Sequence, residues 1–563
     1  MLHEFTRTPR VGYFSMEISL APDIPTYAGG LGILAGDTLR SAADIGLHMV
    51  GVTLVSRAGY FEQKIDAYGK QIELAKTWNP EKFAHPVCAK VSVNIENRTV
   101  WVGAWLYRIE GLGGGTVPVI LLDTDLPENS PEDRTITHYL YGNDAKYRFK
   151  QEMILGIGGI RMLQALGFNI TKHHMNEGHS ALLALELLHR HTYHHRDLRP
   201  GEALYDLPIV RSKCIFTTHT PVEAGQDKFD YTIVDSVAQG EMIDLVQLRK
   251  LAGDDCLNMT RLALNLSDYV NGVAKCHAEV SQKMFPNYFV HAITNGVHPH
   301  TWTNSRFAAL YDRHLNSWRH EPEQLVRIDQ VPDEELWNAH QESKADLLKM
   351  IQDLTGEVLD PTLPTIGFAR RMTAYKRPDL IFSDIKKLKE IAKKHPFQLI
   401  FAGKAHPSDF RGKEIIESIH NHIRELLDDI KVIYLSGYDM AMAHQLVSGV
   451  DVWLNTPLRP LEASGTSGMK ASFNGIPSLS VLDGWWIEGC IEGVTGWSVG
   501  HTEVGNEEKD ISDLYHKLEN VVLPFYQNKD NWIQLMKGVI GKNASVFNTH
   551  RMIRRYATEA HML

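Results

Sequence analysis

The chain has 563 residues, of which 43% are hydrophobic and 22% are charged, and these fractions exclude a disordered, fibrous or coiled-coil protein. The length is sufficient for about two to four domains of roughly 150 residues each. With 58 Lys and Arg against 68 Asp and Glu, the formal net charge is −10, which argues against a general attraction to nucleic acid or anionic lipid.

The first half of the chain mixes strand and helix patterns. Apolar runs predict strands at Val11–Phe14, Met49–Val55, Val117–Leu122 and Cys214–Thr217. Residues 86–107 are predicted as an antiparallel hairpin, and residues 145–166 and 177–190 carry helical patterns. We therefore predict an N-terminal α/β domain over residues 1–300.

The second half alternates strands and helices more regularly. Its short β-rich runs lie at Thr365–Phe368, Gln398–Phe401, Val432–Leu435 and Val450–Leu454. Helical patterns at 379–394 and 411–427 complete βαβ units, which predict a parallel sheet in a second domain over residues 301–563. Because ligands bind beyond the carboxyl ends of such strands, the predicted fold class is α/β with two Rossmann-like domains facing a cleft.

The five cysteines are scattered without a C-x-x-C pair, which predicts neither a disulfide framework nor a zinc site. His191 and His195 have metal-ligand spacing but no apparent third ligand, so a solvated helix end is favoured. Glu4 and Glu17 lie where a signal peptide has an uncharged core, and no apolar run approaches the ~18 residues that span a bilayer. We expect a cytoplasmic protein without a bound metal.

The first candidate site is the glycine-rich stretch YAGGLGILAGD at residues 27–37. It matches a G-x-G-x-x-A dinucleotide fingerprint, but a proline-containing segment precedes it in place of the required strand, which disfavours NAD. A glycine loop that opens a helix can point backbone N–H groups at an anion. A tight turn between packed elements is the alternative.

The second candidate is RRMTAYKR at residues 370–377, directly after a predicted strand. Arginine offers a planar fork of donors and lysine a compact charge, and both bind phosphates. A solvated helix start is favoured for an isolated basic run, and the position of this one after a parallel strand leaves the two interpretations about evenly matched.

The third candidate is RPLEASGTSGMK at residues 459–470, after the strand that ends at Leu454. A carboxylate, three hydroxyls and two glycines precede Lys470, which supplies polar groups for a sugar, a nest for a phosphate and an amine for a Schiff base. The spacing of a Walker A loop is absent. A single lysine is more often a solvated surface residue, and only the surrounding motif favours a function for Lys470.

These three motifs resemble those of the α-glucan phosphorylases, which act on glycogen, starch or maltodextrin and depend on pyridoxal 5′-phosphate. EASGTSGMK is similar to the cofactor segment of that family, AGGLG to its phosphate-facing glycine loop, and RRMTAYKR to its phosphate-binding cations. Similar segments also occur as NEGHSALLALELLH at 176–189, THTPVEAGQDKF at 218–229, YVNGVAKCHAEV at 269–280 and TNGVHPHTW at 294–302. The resemblance implies the GT-B type of glycosyltransferase architecture, with a C-terminal helix packed back on the first domain.

The resemblance also implies a role for individual residues. It assigns catalysis at the substrate phosphate to Arg371, Lys376 and Gly30. It assigns binding of pyridoxal phosphate to Lys470, Arg370, Thr466, Ser467 and Gly468. It assigns binding of the glucosyl unit to Glu462, Ser464, Gly465, His219, Tyr375, Gly29 and Leu31. Without the resemblance, a structural role for His219 would be favoured, and Trp485 and Trp486 are more typical of a core than of a sugar platform.

The implied reaction is reversible, retaining phosphorolysis of terminal α-1,4-linked glucosyl units to α-glucose 1-phosphate. Retaining glycosidases use two carboxylates, whereas here Glu462 is the one good candidate near the motif. This favours a role for Glu462 in binding sugar hydroxyls over a role as the nucleophile. The substrate phosphate, with a second pKa near 6, would protonate the leaving oxygen, and the cofactor phosphate would buffer that proton.

The chain departs from the long members of the family. It reaches its glycine loop by residue 28, which predicts the short branch without nucleotide or phosphorylation control. Ala28 stands where the family loop often begins with Asn, and an Asn expected shortly after TNGVHPHTW has no clear counterpart. Part of the hydrogen-bond network to the sugar hydroxyls should therefore differ from that of the family.

Two other functions remain open from sequence. A glucan synthase of the same architecture would use a nucleotide-sugar donor and no cofactor, and a polysaccharide-binding module would need a surface aromatic platform. As partners we expect an α-1,4-glucan and inorganic phosphate, with no nucleic acid and no membrane, and the oligomeric state stays open.

Overall fold

The computed structural model has the following extent and elements. It describes residues 10–142, 144–194, 198–199, 204–500 and 506–562, and Glu4 and His195 of the sequence predictions lie outside these ranges. In chain order the strands are β1 (Val11–Phe14), β2 (Met49–Leu54), β3 (Glu62–Ile65), β4 (Gln71–Leu74), β5 (His85–Pro86), β6 (Val91–Ile95), β7 (Arg98–Glu110), β8 (Thr116–Asp123), β9 (Lys172–Asn176), β10 (Cys214–Thr217), β11 (Lys228–Asp230), β12 (Cys256–Asn258), β13 (Tyr269–Gly272), β14 (His291–Ala292), β15 (Thr365–Ala369), β16 (Gln398–Ala402), β17 (Lys431–Leu435), β18 (Val452–Asn455), β19 (Ser478–Val481) and β20 (Gly496–Val499). The α-helices are α1 (Gly30–Asp44), α2 (Ala145–Met153), α3 (Gly159–Ala165), α4 (Leu182–Arg190), α5 (Leu207–Lys213), α6 (Tyr231–Val237), α7 (Leu245–Ala252), α8 (Met259–Asn265), α9 (Lys275–Met284), α10 (Pro299–Trp302), α11 (Ser305–His314), α12 (Asp333–Thr355), α13 (Ile385–Lys394), α14 (Phe410–Glu425), α15 (Met440–Gly449), α16 (Ser467–Ser472), α17 (Trp486–Gly489), α18 (Glu507–Lys517), α19 (Leu523–Tyr526), α20 (Lys529–Val539) and α21 (Thr549–Tyr556).

The N-terminal sheet is doubly wound. Its parallel strands have the order β14-β13-β10-β9-β1-β2-β8, and antiparallel β7 and β5 extend it beyond β8. From β1 the chain first builds outward through β2 and β8, and then returns to build outward in the other direction from β9. The carboxyl ends of β1 and β9 therefore flank a crevice where such folds bind ligands.

The C-terminal sheet is fully parallel, with the order β17-β16-β15-β18-β19-β20. This is the 3-2-1-4-5-6 order of a Rossmann fold, and its crevice lies between the carboxyl ends of β15 and β18. The basic segment follows β15, and the segment that ends at Lys470 follows β18. The α/β fold class with two Rossmann-like sheets is confirmed.

The predicted strands are all present, with boundaries that shift by two residues at most. The predicted hairpin is formed by β6 and β7, whose turn residues Glu96 and Asn97 both have positive φ, as a type I′ turn requires. The helix predicted at 379–394 begins later, at Ile385, because the Asp384 side chain accepts a hydrogen bond from Lys387 N–H and caps the helix there.

Buried apolar clusters hold these layers together. One cluster surrounds the C-terminal sheet and includes Trp453 and Trp497. Another joins the N-terminal strands to the last helix, since Tyr13 of β1 lies in the same cluster as Met552 and Ile553 of α21. The last helix thus packs on the N-terminal sheet, while the domain boundary near residue 300 stays a prediction.

None of the helices in the described ranges is both long and apolar enough to cross a bilayer. The five cysteines are free thiols. Trp485 and Trp486 are 3% and 1% exposed, which confirms that they belong to the core.

Candidate active site

The basic segment after β15 is divided between a buried and an open side. Arg370 is buried, and its backbone N–H donates to Ala402 O at 3.1 Å, whereas Arg371 is exposed in the cleft. Arg377 is buried and turned away, since its guanidinium donates to Thr456 O at 2.9 Å and to Asp510 Oδ2 at 2.6 Å. Arg377 therefore anchors the loop, and Arg370, Arg371 and Lys376 remain as site cations.

Glu462 is the carboxylate at the centre of this cluster. It accepts hydrogen bonds from Arg370 Nη2 at 2.6 Å and from Lys376 Nζ. Burial alone would raise the pKa of Glu462, but the charges of Arg370 and Lys376 outweigh burial and lower the pKa to about 2. The structure therefore pairs Lys376 with the expected sugar-binding carboxylate, and not only with the expected phosphate position.

Two further groups border Glu462. The Tyr375 ring centroid lies 4.6 Å from Lys376 Nζ, and although burial opposes it, this neighbouring charge lowers the pKa of Tyr375. Asp483 Oδ2 accepts from Glu462 N–H at 2.9 Å. Burial, together with the nearby Glu462 charge, raises the pKa of Asp483 to about 6.

Lys470 lies in α16 on the buried side of the same crevice. It is 8% exposed, and its Nζ lies 3.9 Å from the Trp302 ring centroid. Burial lowers the pKa of Lys470 to about 8, against the opposing charge of Asp37. A lysine of this kind has a larger neutral, nucleophilic fraction near neutral pH than an exposed one.

The glycines before Lys470 allow close packing that side chains would prevent. Gly465 has φ +77°, and a Cβ there would lie 3.2 Å from Glu462 Cδ. A Cβ on Gly468 would lie 2.8 Å from the Trp485 ring and 2.9 Å from Ser478 Oγ. These residues shape the crevice beside the carboxylate and the lysine.

The hydroxyls of this segment differ in their contacts. Ser467 Oγ accepts from Trp453 Nε1 at 3.0 Å, which fixes it to the sheet. Ser464 Oγ and Ser478 Oγ are buried and, within the described residues, have no hydrogen-bond partner. Thr466 precedes α16 without a side-chain cap, so its hydroxyl is not used in closing the helix.

The glycine loop forms the opposite wall, on the N-terminal sheet. Gly29 precedes α1 without a side-chain cap, and Gly30 and half-buried Leu31 open the helix. A Cβ on Gly29 or Gly30 would meet nothing within 4 Å, so one side of the loop is open. The Ala28 and Gly29 N–H groups donate to Glu17 Oε2 at 2.6 and 3.0 Å, and the first amides of α1 have no acceptor within the helix itself.

His219 lies beside the carboxyl end of β9. Its Nε2 is 2.6 Å from Asn176 Oδ1, and its backbone N–H donates to Glu177 Oε2 at 2.8 Å. Glu177 also accepts from Thr220 Oγ1 at 2.9 Å and has a left-handed backbone with φ 72°, a strained conformation that is concentrated at functional sites. Burial lowers the pKa of His219 to about 3, which keeps the ring neutral.

Contacts between the two halves close the cleft on one side. Gln63 Nε2 donates to Gly403 O and Gln71 Nε2 donates to Ala405 O, both at 2.9 Å. Partial desolvation by the walls of the cleft opposes the charged form of Arg371, but the Tyr375, Tyr60 and Glu17 charges together raise its pKa. Arg371 therefore lies within electrostatic reach of the residue that holds the glycine loop.

Residues 202–543 match the family described as carbohydrate phosphorylase. The chain belongs to the carbohydrate phosphorylase family. It is similar to the maltodextrin phosphorylase of Thermococcus litoralis, with 40% identity over 97% of this chain and 69% of the relative. It is also similar to the glycogen phosphorylases of Aquifex aeolicus, with 36% identity over 98% of this chain and 86% of the relative, and of Mycobacterium tuberculosis, with 33% identity over 97% and 70%.

Sequence reasoning gave no site role to two carboxylates that lie at this crevice, Glu17 and Glu177, although Glu177 belongs to the segment at 176–189. Both follow buried strands of the N-terminal sheet, apolar β1 and polar β9, and both accept backbone N–H groups from a neighbouring loop. An acidic residue within three positions of the carboxyl end of a buried strand was the available signal, because such a position lies at the crevice.

Two other features lie apart from this site. A cavity of about 380 Å³ lies at the opposite ends of the N-terminal strands, beside Lys172, Asp268 and Glu559. Asp44 Oδ2 lies 2.8 Å from His298 Nε2 and 3.0 Å from His550 Nε2. Hydrogen bonds account for this cluster, which ties α1 to α21 and to the segment before α10.

Proposed function

We propose that this chain is an α-glucan phosphorylase that transfers the terminal α-1,4-linked glucosyl unit of maltodextrin, starch or glycogen to inorganic phosphate, with retention, to give α-glucose 1-phosphate. The observation that carries the proposal is that one segment after β18 holds both the buried Lys470 amine and Glu462, which pairs with Arg370 and Lys376. The names of the similar proteins support the same substrates. Free cysteines support a cytoplasmic location.

The substrate phosphate would bind between the two walls of the cleft. Exposed Arg371 offers a guanidinium fork, and the open amides at Gly30 and Leu31 offer N–H donors at the positive end of α1. Lys376 adds a charge beside them. These groups bring the phosphate close to the leaving glycosidic oxygen, to which the phosphate itself can give a proton because its second pKa is near 6.

The glucosyl unit would bind beside Glu462. A carboxyl group with a pKa of about 2 is ionised at neutral pH and accepts hydrogen bonds from sugar hydroxyls. Unpartnered Ser464 Oγ and the neutral ring of His219 supply further polar contacts. Gly465 and Tyr375 would limit the space around the ring of the sugar.

The residues of the crevice fit pyridoxal phosphate. Lys470 would hold the group covalently through its amine, which burial keeps partly neutral, and Gly468 leaves room beside Trp485. Arg370 and the segment of Thr466 and Ser467 would hold its phosphate. When bound, the cofactor supplies a phosphate that exchanges protons near neutral pH.

The test asks whether a glucan loses glucosyl units to inorganic phosphate or gains them from a nucleotide sugar. Purified enzyme is incubated with maltodextrin or glycogen, with and without inorganic phosphate, and glucose 1-phosphate is assayed. The proposal expects glucose 1-phosphate to be released only when inorganic phosphate is present. It also expects the enzyme to show the absorption band of bound pyridoxal phosphate. Chain elongation from a nucleotide sugar, without such a band, would instead identify a glucan synthase.

A further inference from the structure

Glu17 lies directly behind the glycine loop, three residues beyond the end of β1, and is 3% exposed. We propose that Glu17 is a positioning residue for inorganic phosphate: it holds the loop from behind, so that the free amides at the start of α1 point into the cleft. This inference rests on the proposed function. The carboxylate would not contact the phosphate and would act through the backbone of Ala28 and Gly29.

The contacts of Glu17 place it on the closed side of the loop. One carboxylate oxygen accepts from two consecutive amides, Ala28 N–H at 2.6 Å and Gly29 N–H at 3.0 Å. A Cβ on Gly32 would lie 2.6 Å from Glu17 Oε2 and 2.7 Å from Tyr27 Cβ. Gly32 is therefore needed for the close approach of the carboxylate, while the opposite side of the loop at Gly30 is open.

A buried network fixes the orientation of Glu17. Its second oxygen accepts from Tyr141 OH at 2.7 Å. The Arg148 guanidinium lies 4.4 Å from the Tyr141 ring centroid, and Arg148 in turn donates to Glu152 at 3.0 Å and to Asp227 at 2.8 Å. Tyr141 has a left-handed backbone with φ 58°, an arrangement that only its surroundings can maintain.

A negative charge near an anion site would by itself oppose phosphate binding. Glu17 nonetheless holds the loop, because one oxygen at the end of its side chain reaches both the Ala28 and the Gly29 N–H groups. Its length therefore matters more than its charge. A shorter side chain should release the loop, whereas a neutral side chain of equal length should keep it.

The experiment uses the holoenzyme and three variants. Glu17→Asp should raise the KM for phosphate by about tenfold or more, the scale of a lost charge-assisted contact, with the KM for maltodextrin changed less than about twofold. Glu17→Gln keeps an acceptor for the loop and presents its amide to the Tyr141 hydroxyl, so its phosphate KM should stay within about threefold of the parent. Tyr141→Phe leaves Glu17 in place and should give an intermediate rise.

The matched control is Glu186→Asp. Glu186 is a buried carboxylate of α4 that accepts from Arg161 and Arg190 outside the cleft, so the same shortening there should leave the phosphate KM unchanged. Equal phosphate KM values for Glu17→Asp and the parent would overturn the inference, as would a Gln variant as impaired as the Asp variant. If Glu17→Asp does not fold, an unchanged phosphate KM in Tyr141→Phe overturns it.

A binding measurement separates this inference from the proposed function. Calorimetric titration of inorganic phosphate into the holoenzyme should give an affinity that Glu17→Asp weakens by a similar factor. A parent that binds phosphate but releases no glucose 1-phosphate would refute the proposed function alone. Equal phosphate affinity in parent and Asp variant would refute the positioning role alone, and a parent that binds no phosphate would refute both.

Discussion

Lys470 and Lys404 show that a lowered pKa does not by itself identify a cofactor lysine. Burial lowers the pKa of both side chains to about 8. Lys404 Nζ donates to Phe61 O at 3.3 Å, whereas Lys470 Nζ, within the described part of the chain, has no hydrogen-bond acceptor and follows the hydroxyl- and glycine-rich segment. The surroundings of Lys470 therefore distinguish it.

We expect pyridoxal phosphate on Lys470. Borohydride treatment of the enzyme followed by peptide mapping should locate the reduced pyridoxyl group on that residue. Lys470→Arg should abolish the label, while Lys404→Arg, the matched control, should retain it. A label found on another lysine would refute the assignment.

Arg371 and Lys376 should both affect phosphate use, but only Lys376 should also affect the glucan. Arg371→Ala removes an open phosphate donor and should weaken phosphate use by about 2–4 kcal/mol, the scale of a lost charge-assisted contact, without changing glucan binding. Lys376→Ala should weaken phosphate use by about the same amount and should also impair glucan binding, because Lys376 pairs with Glu462.

Steady-state kinetics in both substrates check this difference. Arg411→Ala, at an exposed pair with Glu414, serves as the control and should have parental constants. Normal phosphate kinetics in both site variants would mean that the anion binds elsewhere.

Asp483 predicts a pH dependence of stability. Burial raises its pKa from 3.8 to about 6, so between these values the folded protein binds more protons than the unfolded chain, and stability falls as pH rises. The shift corresponds to about 3 kcal/mol. Chemical denaturation of the substrate-free parent and of Asp483→Asn should therefore show that, between pH 4 and pH 7, the free energy of unfolding of the parent falls by about this amount relative to that of the variant. A stability difference that is independent of pH would contradict the raised pKa.

At the scale of elements, the strands that could be predicted from the sequence are apolar runs buried on two faces, whereas polar β9 was not predicted. Strands such as β10 and β15 are continuous apolar runs. The basic segment and the Lys470 segment could be predicted to lie at the crevice because each comes after such a strand. The pairing of Lys376 with Glu462 could not be predicted, because it joins side chains 86 residues apart. The anchoring role of Arg377 depends in the same way on distant backbone carbonyls.

The glycine loop gives a matched pair of substitutions. A Cβ on Gly30 meets nothing within 4 Å, whereas a Cβ on Gly32 lies 2.6 Å from Glu17 Oε2. Gly30→Ala should keep the parental melting temperature and raise the phosphate KM, because the methyl group enters the open side. Gly32→Ala should lower the free energy of unfolding by about 1–3 kcal/mol, the cost of an overpacked site, and should therefore lower the melting temperature. Equal effects of the two changes on stability would show that the loop has no open side.

At the scale of the whole molecule, two doubly wound sheets turn their crevices toward each other. The N-terminal crevice supplies the glycine loop and His219, and the C-terminal crevice supplies the cations, Glu462 and Lys470. The glutamine contacts of the β3–β4 hairpin join the two halves. In the proposed reaction both walls would contribute groups to the phosphate and to the sugar, which would meet between them.

Phosphorus NMR of the enzyme with maltodextrin and inorganic phosphate tests the central claim most directly. The account predicts that the inorganic phosphate signal declines while the signal of α-glucose 1-phosphate grows in equal amount, and that added glucose 1-phosphate reverses the change. An unchanged phosphate signal with the cofactor bound, or formation of the β-anomer, would contradict it.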